Sequence, residues 1–217
     1  MALSAIVHRI RPEALEEAAD VLAAEPAALG GLSGTGVFAQ EDTIIRVFHE
    51  GTGGGEDTER IAARDAELLA PYLREGGAAA PMLCVQSRFI EDRPAGIAAL
   101  RYKVVPGHES DIAEVFAQVQ AEARPTLRGE GGQETGVIIG VGLFVKDDNM
   151  VRVVLFDGEL DDVARYMAKR GGRPEMERKL APYMAETRHV ETPEQFLEQF
   201  RSNTMRCLAR EKAGVAS

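Results

Sequence analysis

Histidine side chains are the first candidates for chemistry in this sequence, because imidazole exchanges protons near neutral pH. The sequence contains four histidines, His8, His49, His108 and His189. No two of them are spaced i, i+4 and no HExxH motif occurs, so the spacing predicts no metal site. His8 and His49 lie in apolar strand-like segments, whereas we expect His108 and His189 to be solvated. We therefore select His8 and His49 as candidate catalytic residues, acting as general bases.

His8 stands in an apolar strand, on the face that also carries Ile6 and Ile10. A polar ring on such a face needs either a hydrogen-bonding neighbour or a ligand. One interpretation is a core histidine that is satisfied by its neighbours, and the other is a base that contacts substrate. His49 ends its strand beside a glycine-rich loop, where it is either an exposed strand end or part of the same site.

Two arginines interrupt segments of apolar and β-branched residues, Arg46 in TIIRVF and Arg152 in NMVRVV. A guanidinium stays charged, so a buried one must meet a carboxylate or an anion. The structural interpretation is a cross-strand salt bridge or an edge strand that faces water. The functional interpretation is a cationic floor that stabilises an enolate or phenolate. Together with Phe38 and Phe144 of the same two hairpins, these arginines are the candidate substrate-binding residues.

Other common chemical motifs are not supported. The glycine runs GGLSGTG (30–36) and GTGGG (51–55) match neither GxxxxGK[ST] nor a Rossmann pattern, so we predict loops and no nucleotide or flavin cofactor. No GxSxG motif occurs. The two cysteines, Cys84 and Cys207, lie in apolar strands, where thiols usually pack as small hydrophobes. They form neither a disulfide framework nor a zinc motif.

Most of these candidate residues lie in the two copies of an internal repeat, so the elements of the repeat determine their positions. GVFAQEDTIIRVF (36–48) matches GLFVKDDNMVRVV (142–154), and each predicts a β-hairpin with turn-forming acidic residues. The match continues through helices that end in LLAPYL and KLAPYM, and through first strands AIVHRIRP and ALRYKVVP. Tyr102 takes the place of His8 in the second copy, and we keep it as a further catalytic candidate. The second copy also inserts a capped helix, TPEQFLEQF.

Each copy reads β-α-β-β-α-β, which is the ferredoxin-like unit. One such sheet leaves a face bare, and a covalently linked second copy is a natural partner for it. We therefore predict an α+β protein, a tandem duplication of ferredoxin-like βαββαβ units forming an intramolecular, pseudo-dimeric α+β barrel with room for a flat apolar ligand. The predicted divisions are a first half at 1–90, a linker at 91–97, a second half at 98–211 and a tail at 212–217.

The charge balance argues against several partners. The 217 residues include 25 Lys and Arg against 35 Asp and Glu, a formal net charge of −10. An acidic surface repels phosphate backbones and anionic lipids, so we expect neither nucleic acid nor a membrane as partner. No apolar run approaches the ~18–20 residues of a membrane span, and the N-terminal segment does not resemble a signal peptide. We expect a cytoplasmic protein, and edge strands leave open a homodimer.

The second half resembles a known family. The segments RYKVVPGHESDIAEVF (101–116), GLFVKDDNMVRVV (142–154), KLAPYM (179–184) and ETPEQFLEQFRSNTMRCL (191–208) are similar to the SchA/CurD-like domain. The resemblance covers residues 98–210 closely, and the first half shares it through the repeat. Proteins of that family belong to gene clusters for aromatic polyketides, including spore pigments and antibiotics. The resemblance therefore implies an aromatic polyketide as small-molecule partner, and a role in tailoring or cyclising it.

Some members of that family are described as monooxygenases, and the ferredoxin-like barrel is also the scaffold of cofactor-free, quinone-forming monooxygenases. The resemblance thus implies oxidation of a phenol- or anthrone-type intermediate to a quinone, with O₂ as co-substrate and no cofactor. A base, His8 or His49, would remove a proton, and Arg46 or Arg152 would stabilise the resulting anion. The alternatives are a cyclase that uses the same cavity without oxygen and a non-catalytic polyketide-binding component of the synthase complex.

Overall fold

The computed structural model describes residues 2–24, 36–50, 55–89, 96–117, 125–169, 173–186 and 192–210. Its helices are α1 (Leu15–Ala24), α2 (Gly55–Leu69), α3 (Glu109–Ala117), α4 (Leu160–Lys169), α5 (Arg173–Leu180) and α6 (Pro193–Asn203). Its strands are β1 (Ala2–Arg9), β2 (Gly36–Gln40), β3 (Thr43–Glu50), β4 (Ala80–Pro81), β5 (Leu83–Phe89), β6 (Gly96–Lys103), β7 (Thr126–Arg128), β8 (Glu134–Lys146), β9 (Asn149–Asp157) and β10 (Arg206–Arg210). The predicted tail and residues 91–95 of the predicted linker lie outside the described residues.

The chain forms two compact units. The first contains Met1–Cys84 together with Met205–Ser217, and the second contains Val85–Thr204. The sheet of the first unit has the antiparallel order β10-β2-β3-β1-β4. The sheet of the second unit has the order β5-β8-β9-β6, with β7 also paired to β8. The boundaries of the two units therefore differ from the boundaries of the two repeat copies. The reason is that most of the last strand of each copy pairs within the other sheet.

This exchange follows the same plan in both copies. Ala80–Pro81 stays beside the first strand of its own copy, with Pro81 opposite Ile6, and the chain then continues into β5, which pairs with β8. Similarly, Thr204 bridges to Leu100 of β6, and the chain then continues into β10, which pairs with β2. The last strand of each copy is therefore divided, with a short piece beside the first strand of its own copy and the remainder in the other sheet. The contact with β1 continues one residue past Pro81, where Met82 N–H donates a 2.9 Å hydrogen bond to the carbonyl oxygen of Ala5.

The predicted α+β class with antiparallel sheets is confirmed, but the predicted barrel is not formed by either sheet. Among the described strands, the first sheet ends at β10 and β4, and the second ends at β5 and β6. Each exchanged strand adds to the outer side of a hairpin instead of joining the two ends of a sheet. Both sheets consequently remain open.

The two hairpins and the inserted helix agree with the local sequence patterns. Glu41 has φ 55° and Asp147 has φ 52°, so equivalent turn positions in the two copies adopt the left-handed conformation. Helix α6 begins with Thr192 as its N-cap, and the side chains of Thr192 and Gln195 each accept a hydrogen bond from the other residue's backbone N–H. This reciprocal pair is the predicted capping box.

Alternation along β1 assigns its side chains to two faces of the first sheet. One face carries Ile6 and His8 beneath α2, and the other carries Leu3, Ala5 and Val7, which are also buried. The core beneath α1 and α2 includes Ala18, Leu22, Val37, Ile44 and Leu69. In the second unit, α3, α4, α5 and α6 cover one apolar face with Ile112, Phe116, Val163, Leu180, Phe196 and Phe200.

Candidate functional site

A buried cluster of His8, Arg46 and Asp65 lies in the first unit, between the sheet and helix α2. Strands β1 and β3 pair so that Arg46 is opposite Ile6 and Ile44 is opposite His8. Directly opposed residues share a face, and residues two apart on one strand do so as well. The register therefore makes His8 and Arg46 diagonal neighbours, and Asp65 reaches them from the helix.

Asp65 is placed by the buried stripe of α2. Thr58, Ile61, Ala62, Asp65 and Leu69 are all buried, at the spacing that keeps side chains on one face of a helix. A carboxylate in the middle of such a stripe is rare unless it is paired. Asp65 is not among the residues selected from the sequence, although it lies four residues after Ile61, three after Ala62 and four before Leu69, which is the spacing of one helix face.

The charges in the cluster are paired at short range. Arg46 Nη1 donates a hydrogen bond to Asp65 Oδ1 over 2.5 Å, and His8 Nε2 lies 3.3 Å from Asp65 Oδ2. The side chains of His8 and Asp65 have no exposed surface, and that of Arg46 is 7% exposed. Arg46 therefore meets a carboxylate as its burial required, but the carboxylate comes from a helix and not from a neighbouring strand.

Three polar atoms of the cluster are buried without a hydrogen bond within the described part of the chain: His8 Nδ1, His8 Nε2 and Asp65 Oδ2. The 3.3 Å contact between Nε2 and Oδ2 is close, but its direction is not that of a hydrogen bond. Buried polar atoms are nearly always satisfied by protein, water or ligand. A polar ligand that reached His8 Nδ1 would therefore gain a hydrogen bond.

Phe38, also selected from the first copy, lies elsewhere. Val37 is opposite Arg46, so the adjacent Phe38 projects from the other face of the sheet, where it is fully buried. The backbone of His49 pairs with that of Leu3, and its side chain lies outside the described part of the structure. Of the candidates in the first copy, the structure therefore brings together His8 and Arg46.

In the second unit, the candidates are separated in the same way. Arg152 is opposite Leu100, and Tyr102 is two residues further along the same face, with 9% exposure. Phe144 is opposite Val151 and projects from the other face, fully buried. Tyr102 and Arg152 thus repeat the placement of His8 and Arg46 on the helix-covered side of a sheet.

A different buried carboxylate stands in the second unit. Thr135 Oγ1 donates a 2.6 Å hydrogen bond to Asp162 Oδ2, and Arg165 forms an ion pair with Asp162 Oδ1. The hydrogen bond from Thr135 lowers the pKa of Asp162, burial opposes this effect, and Arg165 lowers the pKa further. These contacts tie α4 to the start of β8, so we assign them a structural role.

His108 does not join the cluster. His108 is 42% exposed, and its Nδ1 lies 2.7 Å from Asp111 Oδ2 at the start of α3. His189 lies outside the described residues. Within the described ranges, no group of three His, Cys, Asp or Glu side chains is arranged to hold a metal ion. None of the helices described is both long and apolar enough to span a membrane.

Comparison with known protein families gives a match. The model of the SchA/CurD-like domain family matches residues 96–213, which is more than half of the chain. No curated protein matches the sequence.

Several solved structures are similar over nearly the whole chain. A proposed monooxygenase from Fusobacterium nucleatum has a TM-score of 0.50 at 10% identity, over 98% of this chain and 94% of its own. This likeness shows a shared fold. A proposed monooxygenase from Lactobacillus acidophilus has a TM-score of 0.44 at 10% identity, over 99% and 98% of the two chains. An anthrone oxidase-like protein has a TM-score of 0.41 at 11% identity, over 98% and 94%.

Proposed function

The chain belongs to the SchA/CurD-like domain family, and from this premise we propose that it is a tailoring enzyme of aromatic polyketide biosynthesis. The reaction is a monooxygenation that converts a phenol- or anthrone-type intermediate to a quinone, with O₂ as co-substrate. The observation that carries the proposal is His8, a buried imidazole beside a carboxylate that Arg46 holds in place; its Nδ1 has no hydrogen-bond partner within the part of the chain that the structure describes. The fold shared with the Fusobacterium nucleatum protein, itself described as a proposed monooxygenase, agrees with this class of reaction.

The proposed chemistry begins with a proton transfer. The CH₂ group of an anthrone, or its enol O–H, gives a proton to His8, and the electron pair stays on the substrate as an anion. This anion gives one electron to O₂, and the two radicals combine into a peroxide. Protonation of the peroxide and loss of water leave C=O in place of CH₂, so one O₂ is consumed and one water is released. The substrate supplies all the electrons, so the proposal includes no metal or organic cofactor.

Arg46 has a different role from the one expected of it. Its guanidinium is committed to Asp65 at 2.5 Å, so it supports the anionic partner of His8 and is not a free cation for the substrate. After proton transfer, the positive charge lies on the imidazolium of His8. That charge is adjacent to the substrate anion and can stabilise it directly in a site from which water is excluded.

The packing around His8 imposes a condition on substrate entry. His8 and Asp65 have no exposed surface, so a substrate contacts Nδ1 only after side chains between α2 and the sheet move apart. Movements of this kind precede chemistry in many enzymes and keep water out of the site afterwards.

Oxygen consumption tests the proposal directly. Metal-stripped, flavin-free protein is given an anthrone in an oxygen electrode, and quinone is measured in parallel. We expect one O₂ per quinone, and His8→Asn is expected to lower the rate by roughly 10²- to 10⁴-fold, as for loss of a general base. His108→Asn is the matched control, because this exposed histidine lies outside the cluster, and its rate should be unchanged.

Other outcomes decide between the alternatives. No oxygen uptake, with anaerobic conversion of a poly-β-ketone to a product of unchanged oxidation state, would overturn the oxygenase and favour the cyclase. Pathway function that survives both His8→Asn and Asp65→Asn would show that no chemistry occurs at this cluster and would favour a binding component.

A further inference from the structure

Resting on the proposed function, we infer that Asp65 is a positioning residue that holds His8 as its Nε2–H tautomer and thereby makes Nδ1 the atom that accepts the substrate's proton. The sequence alone indicates His8 as a candidate base, but it identifies neither Asp65 as its partner nor the ring nitrogen that accepts the proton. The contacts of the cluster supply both.

The assignment of the proton begins with Asp65 Oδ2. An ionised carboxylate accepts hydrogen bonds and donates none. His8 Nε2 lies 3.3 Å from this oxygen, so a lone pair on Nε2 would face a second lone pair at close range. With a hydrogen on Nε2, the same contact becomes attractive. A small rotation of the ring would align the N–H bond with Oδ2. The contact therefore selects the tautomer that has its hydrogen on Nε2.

The charge balance is consistent with a neutral ring. Arg46 and Asp65 already form a balanced pair in the interior, at 2.5 Å. A neutral imidazole adds no uncompensated charge there, whereas an imidazolium would leave one. A neutral imidazole carries one hydrogen only, so the hydrogen on Nε2 leaves a lone pair on Nδ1. Nδ1 is buried, and it has no hydrogen-bond partner among the described residues.

Asp65 is itself held in a fixed orientation. Arg46 binds its Oδ1, which directs Oδ2 towards His8, and the buried stripe of α2 fixes the backbone above the sheet. These contacts run from Arg46 on β3 through Asp65 on α2 to His8 on β1. They therefore depend on the packing of α2 against both strands. When Nδ1 takes the substrate's proton, the imidazolium retains its contact with Asp65 and forms an ion pair with the substrate anion.

Nuclear magnetic resonance of the full chain, labelled with ¹⁵N-histidine, tests the inference. Long-range ¹H–¹⁵N correlation spectra distinguish a protonated from an unprotonated ring nitrogen, and loss of the signal in His8→Asn assigns it. We expect Nε2 of His8 to be protonated and Nδ1 unprotonated in the wild-type protein. This measurement needs no substrate.

Asp65→Asn is the informative substitution, because it keeps the shape and exchanges an acceptor for a donor. Arg46 would still bind the amide oxygen, and the amide N–H₂ would then point at His8 Nε2. We expect the tautomer to invert to Nδ1–H, with kcat lowered by roughly 10²- to 10⁴-fold and KM nearly unchanged. Glu67→Gln, an exposed change on the same helix, is the control and should leave both the spectrum and kcat unchanged.

The outcomes separate this inference from the proposed function. A wild-type His8 with its hydrogen on Nδ1, or a folded Asp65→Asn protein with an unchanged tautomer, overturns the positioning role whether or not oxygen is consumed. The expected tautomers without any oxygen uptake would instead overturn the oxygenase and leave the role of Asp65 intact.

Discussion

Arg46 and Asp65 form a buried ion pair in the first unit, with 2.5 Å between Nη1 and Oδ1. Arg46 comes from the middle of β3 and Asp65 from the buried stripe of α2, so the pair joins helix to sheet. His8 lies against the second oxygen of the same carboxylate. The stability of this unit and the chemistry proposed for it therefore depend on the same side chains.

Removal of one member of the pair is expected to be costly. Arg46→Met leaves the carboxylate of Asp65 buried without a cation, and we expect a loss of about 3–5 kcal/mol in the free energy of unfolding. Urea unfolding followed by circular dichroism measures this loss. The double variant Arg46→Met/Asp65→Leu removes both charges, and we expect it to be more stable than Arg46→Met alone. A double variant as unstable as the sum of its two single variants would contradict this account of the pair.

Asp162 makes stability in the second unit depend on pH. Its pKa is lowered in the folded protein, first by the hydrogen bond from Thr135 and then by Arg165. Because the pKa is lower when folded, the stabilisation is fully present above the ordinary carboxyl pKa of about 4 and is lost as pH falls through the folded value. We expect Asp162→Asn to be less stable than wild type at pH 7, with the difference shrinking towards pH 3.

Urea unfolding at a series of pH values measures that difference. Asp161→Asn is the matched control, because Asp161 is the preceding residue of α4 and is 60% exposed, 3.6 Å from an exposed Arg201. Its stability difference from wild type should be small at every pH, since exposed ion pairs contribute little. An equal pH dependence in the two variants would refute the assignment to Asp162.

The capping box at α6 should contribute measurably to stability. Thr192→Ala removes the hydroxyl that accepts the hydrogen bond from the Gln195 N–H. We expect a loss of about 1 kcal/mol, as for other N-cap substitutions. Thermal unfolding compared with Glu198→Ala, an exposed change in the same helix, provides the measurement and its control. Equal stability of the two variants would show that the cap is not significant here.

The exchanged strand gives a prediction about local protection. A chain that ends at Asn203 lacks β10, so β2 becomes the edge of the first sheet and loses its hydrogen bonds to residues 206–210. We expect faster amide hydrogen exchange in β2, with β8 and β9 of the second unit nearly unchanged. Mass spectrometry of peptides from the two regions measures both rates.

A chain that ends at residue 210 is the control for that experiment. It retains β10, so exchange in β2 should match that of the full chain. Equal exchange in β2 with and without β10 would mean that this pairing contributes no protection.

Local patterns were sufficient to predict much of the architecture. The internal repeat and the acidic turn residues located both hairpins, and Thr192 with Gln195 located the start of α6. Each of these features depends on residues close together in the chain, so a short window of sequence contains the physical cause. The internal repeat then predicted the α+β class, because two matching sets of elements must each bury one face of a sheet.

The candidate site was predictable only in part. The sequence indicated that His8 and Arg46 are polar residues in apolar strands, and that each needs a partner. It did not identify Asp65 as the partner of Arg46, because their contact depends on how α2 lies across the sheet. Phe38 and Phe144 were selected with the arginines. Each phenylalanine follows the residue that is opposite an arginine, and a shift of one residue along a strand turns the side chain to the other face of the sheet.

The sequence by itself determined the repeat, the main helices and strands of each copy, and the need to neutralise a charge at Arg46. Only the tertiary structure decided that the last strands are exchanged between the two sheets, and that Asp65 joins His8 to Arg46. Strand exchange and the Asp65 contacts both connect residues far apart in the chain. Their energies depend on register and on the packing of a helix over a sheet, which no local pattern encodes.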